Sequence, residues 1–154
     1  MGVGINDLTA IKVYEDSQRV FKHLNSLASS AITAIDAGNY DVSQLRAAVI
    51  DSFVNAFNAL PDVDGWSAAN KLELNDYVAT ATTHTDYATE YTAARLAARD
   101  VGLAGLAIIP TDAGGFVQEL TYAADGAKTY NTVGGTTDLR AKLVAYTTEA
   151  QNGG

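Results

Sequence analysis

The chain has 154 residues and a mass of 16.1 kDa, is 47% hydrophobic, and carries 18 acidic against 10 basic residues for a net charge of −8. A chain of that length buries roughly 70% of its unfolded surface within one domain, and its apolar content excludes a charge-rich disordered protein. The lack of cysteine excludes disulfide scaffolds, Cys-ligated zinc, iron–sulfur clusters and thiol nucleophiles.

The helical signal starts at once. Asn6 or Asp7 offers an N-cap, and Leu8, Ile11, Tyr14, Phe21, Leu24, Ala28, Ala31 and Ile35 recur at helical spacing. This predicts an amphipathic helix over Asp7–Ala37, with Gly38 and Asn39 as its stop. The polar stretch Glu15-Asp16-Ser17-Gln18 is where it would break in two. A second helix is expected over 41–60. Asp41 and Gln44 sit at capping-box spacing, Leu45, Val49, Phe53 and Leu60 form a stripe, and Pro61 closes it. The turn-rich loop from Pro61 to Gly65 leads to Ser67 as the next N-cap, with Trp66 packed against the following helix.

From Ser67 onward no glycine or proline intervenes before Gly102, which predicts one long helix over 67–100. Its face is Leu72, Val78, Ala81, Thr85, Ala88, Thr92 and Leu96, and its weak point is the threonine run around His84. After Gly102 the chain becomes glycine-rich. Asp125-Gly126, between two stretches rich in aromatic and β-branched residues, predicts a hairpin across 116–133, bracketed by Gly114-Gly115 and Gly134-Gly135. A helix over 115–124 is the rival reading. A last helix is expected over 138–150, capped by Thr137 or Asp138, with a frayed tail over 151–154. The fold class is therefore mainly α. It is an antiparallel helical bundle of three to five helices with a Gly-bracketed hairpin or loop appendage near 116–133. Residues 1–154 read as a single domain, with a helical body over 7–101 and 137–150 and an extended arm over 103–136.

No catalytic, cofactor-binding or metal-binding residue is assigned from the sequence, and no cofactor is expected. His23 and His84 lie in no metal-ligand spacing, and His84 and Asp86 fall on different faces of a helix. Asp62, Asp64 and Glu73 match three calcium-loop positions, but Trp66 and Ser67 stand where an oxygen ligand and a glycine are required. The paired glycines fit no phosphate-binding loop, and no nucleophile motif occurs. Thirteen of the acids are aspartates, which favour caps and loops, so −8 reads as a solvated surface. Basic residues cluster no further than Arg95 and Arg99, so no sequence-specific nucleic-acid face is expected. No apolar run approaches the ~20 residues of a membrane span and no leader is visible, so the chain reads as soluble and unprocessed, with no membrane partner. Tyrosine suits half-wet interfaces. The candidate contact residues are Tyr77, Tyr87 and Tyr91 in the third helix and Phe116, Leu120, Tyr122 and Tyr130 in the glycine-bracketed segment.

Cysteine-free, lysine-poor and rich in Ala, Thr, Asp and Asn, with long helices over Asp7–Ala37, 41–60 and 67–100, the 116–133 segment and a helix over 138–150, the whole chain resembles small virion proteins of tailed bacteriophages. Among these it looks most like the head–tail connector (adaptor) proteins. The resemblance implies a non-enzymatic structural protein of the virion, assembled in the host cytoplasm. Its partners would be other copies of itself in a ring and neighbouring portal or tail components. The alternatives are another virion component for capsid decoration or tail completion, or a soluble helical ligand-binding domain or enzyme with a non-local site.

Overall fold

A computed structural model describes residues 7–38, 40–108 and 136–153. The segment expected as an appendage, 116–133, lies outside them. The described residues form the expected mainly α bundle.

Helix α1 spans Asp7–Ala37 without a break. Its inward residues Ala10, Val13, Ser17, Phe21, Leu24 and Ala28 follow one another three or four apart, so one continuous stripe is buried. The polar stretch at 15–18 does not interrupt it, because Ser17 points inward and bonds to the Tyr14 carbonyl at 2.8 Å. Gly38, at φ 67°, stops the helix in the left-handed conformation that glycine adopts freely.

Asp41 caps α2 (Val42–Val49) by accepting from the Gln44 N–H at 2.9 Å. A π-helical turn, Ile50–Val54, then leads into α3 (Asn55–Ala59), with the Asn55 N–H bonded to the Ile50 carbonyl. Residues five apart on an α-helix diverge by about 140°, whereas the wider turn brings Val49 and Val54 to one side. Both press on glycines of a later helix, α5 (Tyr87–Ala107). A Cβ at Gly102 would lie 2.7 Å from Val54 Cγ2, and one at Gly105 would overlap Val49. Those pairings make α2–α3 antiparallel to α5.

Leu60 and Pro61 end this segment, and a 3₁₀ turn (Val63–Gly65) follows. Ser67 caps α4 (Ala68–Ala81) by accepting from the Asn70 N–H at 3.1 Å. The single helix expected over 67–100 is instead two, broken at 82–86. The threonines there bond to the backbone: Thr80 to the Tyr77 carbonyl, Thr82 to the Val78 carbonyl, while the Thr82 hydroxyl accepts from the His84 N–H. Asp86 then caps α5 (Tyr87–Ala107), accepting from the Thr89 N–H and hydroxyl. Helix α5 runs past Gly102, so residues 103–107 are helix and not extended arm. Helix α6 (Thr137–Gly153) includes residues 151–153 of the tail expected to fray.

Two clusters make one core. Leu24, Val49, Phe53, Val101, Leu143 and Tyr146 fill one end, with the Phe53 ring edge-on to Tyr146 at 5.2 Å. Phe21, Leu60, Leu74, Val78, Tyr87 and Tyr91 fill the other. Helix α1 crosses both. Helix α6 runs antiparallel to it, fixed by Arg140 to Asp36 at one end and the Tyr146 hydroxyl on the Phe21 carbonyl at the other.

Candidate interaction surface

Tyr87 and Tyr91, expected at a contact surface, are wholly buried and belong to the core. The Tyr87 hydroxyl lies 2.6 Å from Ser17 Oγ and accepts from Gln18 Nε2 at 3.4 Å, and its ring stands edge-on to Tyr14 and His84. The Tyr91 hydroxyl donates to the Pro61 carbonyl at 2.8 Å and its ring tilts over Phe21. Burial raises both phenols above their ordinary value, as it does that of Tyr146. Tyr77 is half-buried, its ring edge-on to Tyr14 at 6.2 Å. Phe116, Leu120, Tyr122 and Tyr130 lie outside the described residues.

His84 pairs with Glu90, not with Asp86: Nδ1 and Oε2 are 2.7 Å apart across the α4–α5 link. Asp86 instead accepts from Asn75 Nδ2, while Asn75 Oδ1 accepts from the Ala88 N–H. A carboxylate orienting an imidazole is half of an acid–base site, but a nucleophile is needed beside it. The Ser17 hydroxyl is sealed in the core on Tyr87 and Tyr14. Among the described residues no three His, Cys, Asp or Glu converge to hold a metal. The pair's visible work is to tie the link to α5.

The outer face of α5 is different in character. Thr89, Thr92, Leu96, Arg99, Leu103 and Leu106 follow one another at alternating spacings of three and four, a heptad seam about 26 Å long. Leu103 is 57% and Leu106 43% exposed, and Leu72 of α4 stands beside the seam, 57% exposed. Leu72 and Leu96 wall a groove of about 620 Å³ between α4 and α5, floored by Ala68, Ala88 and Ala93. Along this face Lys71 pairs with Asp64 at 3.6 Å and Arg99 with Asp100 at 3.0 Å, while Asp86 at the groove accepts from the neutral Asn75.

Sequence reading placed Leu72, Thr92 and Leu96 on an inward face with Val78 and Ala88. Only Val78 and Ala88 are buried: Leu72 lies about 120° around α4 from Val78, and Leu96 about 80° around α5 from Ala88. The inward stripe of α5 is Tyr87, Tyr91, Ala94, Ala98, Val101 and Gly105. The signal that locates the outer seam is the heptad spacing counted from Asp86 as the cap.

No protein-family model, curated protein or solved structure matches the chain.

Proposed function

We propose that this chain is a structural assembly subunit whose copies pack side by side through the outer seam of α5, in the manner of a head–tail connector (adaptor) of a tailed-phage virion. The observation that carries the reading is the seam itself. Its exposed leucines at heptad spacing match what a neighbouring helix needs. The occupant is a second copy. Chains of net charge −8 repel one another, and a face that pairs Lys71 with Asp64 and Arg99 with Asp100 adds less to that repulsion. A closed ring requires two different faces. The second is the apolar groove of about 240 Å³ between α1 and α2, walled by Leu27, Ala31, Leu45 and Ala48. The composition and helix pattern supply the virion part of the reading, and portal or tail proteins are the neighbours it implies.

The test sediments native source material and quantifies the chain in each fraction by mass spectrometry. Stoichiometric recovery in particle-sized material is expected, and recovery only as a small soluble species overturns the virion reading. A Leu103→Glu/Leu106→Glu variant tests the seam separately. It should fold normally and fail to assemble, whereas undiminished assembly would remove the seam from the contact.

A further inference from the structure

We propose that a second cleft, between the first half of α1 and the turn at 61–66, binds a small amphipathic carboxylic acid. Two independent features meet there. The cleft encloses about 600 Å³, within the roughly 300–1,000 Å³ of small-molecule sites, and its apolar walls include Val20, Pro61 and Trp66. At its mouth Lys12 and Arg19 both bond to one carboxylate, Asp16, each at 2.9 Å. Two cations on one anion leave a single positive charge in excess, on a chain that is otherwise strongly negative.

Lys12 and Arg19 are largely exposed, so their remaining N–H donors face the mouth and solvent. Trp66 is half-buried against the core, and its indole N–H has no hydrogen-bond partner among the described residues. An apolar body laid against Trp66 and Pro61 would place one carboxylate between the two cations, where charge-assisted hydrogen bonds form. Asp16 already occupies part of that donor set, so it competes with the ligand's head group. None of these residues belongs to the α5 seam, so the inference stands apart from the assembly reading.

Trp66 is the only tryptophan in the chain, and its emission therefore reports on this cleft alone. The full-length protein is titrated with octanoate and, separately, with 1-octanol. Octanoate should give a saturable blue shift of the emission, with 1-octanol about tenfold weaker or worse. Lys12→Gln/Arg19→Gln should weaken octanoate by about tenfold or more, and Asp16→Asn should tighten it by freeing the two cations. These side chains lie at the surface, and unchanged circular dichroism confirms that the variants fold. If the double variant does not fold, the alcohol comparison and Asp16→Asn still decide. The proposal is overturned by the absence of a saturable response to octanoate, by equal binding of the alcohol, or by indifference to Asp16→Asn. A response to an acidic apolar peptide with none to the free acid overturns it in favour of a protein partner.

Discussion

Ser17 and Tyr87, seventy positions apart, share a hydroxyl–hydroxyl hydrogen bond of 2.6 Å inside the bundle. It joins the middle of the first helix to the first turn of α5, within a group of rings that includes Tyr14 and His84. Ser17→Ala would leave the Tyr87 hydroxyl buried with only the long contact from Gln18, at 3.4 Å. A buried polar group left unsatisfied costs about 1–3 kcal/mol. Ser17→Ala should therefore lower the urea-unfolding free energy by that amount. Tyr87→Phe should cost less, because Ser17 keeps the Tyr14 carbonyl as acceptor.

Alkaline pH should unfold the protein through its interior phenols. Tyr87, Tyr91 and Tyr146 are held above their ordinary value near 10, chiefly by desolvation. The native state keeps protons that the unfolded chain releases. The stabilisation is thus complete below about pH 10 and falls as pH rises from there toward the higher native values. Each phenol contributes a slope of up to about 1.4 kcal/mol per pH unit. Urea midpoints followed from pH 8 to 11, together with tyrosinate absorbance, should show flat stability and then a steep loss that coincides with ionisation. Tyr146→Phe should flatten that slope. Gradual ionisation without unfolding would contradict the burial.

Gly105→Ala should destabilise the protein even though alanine is the better helix former. The added methyl overlaps Val49, and overpacking of a tight core costs about 1–3 kcal/mol, against a propensity gain of about 1 kcal/mol. Val49→Ala in the same chain should recover part of the loss. A double-mutant cycle in urea measures the coupling, and additive losses would show that the two helices do not touch there.

Asp86→Ala removes the cap of α5 and also the partner of Asn75, so two helices feel it. The expected loss is about 1–2 kcal/mol. Asp86→Asn, which keeps an acceptor for the Thr89 N–H, should retain most of the stability. Thermal unfolding of the three proteins ranks them. Equal loss in the two variants would point to the charge and away from the cap.

Most of the helices were legible because their ends are chemically marked. Gly38, Asp41, Pro61 and Ser67 each do in the structure what their side chains or backbones dispose them to do. The break at 82–86 was legible only as weak propensity, since threonine permits a helix and equally offers its hydroxyl to a neighbouring backbone group. Leu72 and Leu96 point outward because they lie about 120° and 80° around their own helices from Val78 and Ala88. The burial of Ser17 is equally hidden from the local sequence. The serine sits among Glu15, Asp16 and Gln18, and nothing local says that a hydroxyl seventy residues away will receive it. The Trp66 cleft joins α1 to a turn some fifty positions later, a proximity that no periodicity encodes.

The π turn at Ile50–Val54 makes the chain's length, and not only its composition, part of the design. Loss of Asp51 or Ser52 would restore ordinary helical pitch, leave every hydrophobic residue in place and set the two valines four apart, about 40° around the axis and still on one side. Relaxation of all five residues to α pitch would instead turn Val54 about 140° from Val49, carrying it away from Gly102 and Phe57 from beneath the Arg95 guanidinium. A one-residue deletion there should thus be tolerated, whereas a one-residue insertion should be purged. A library that varies length separately from identity would expose that asymmetry.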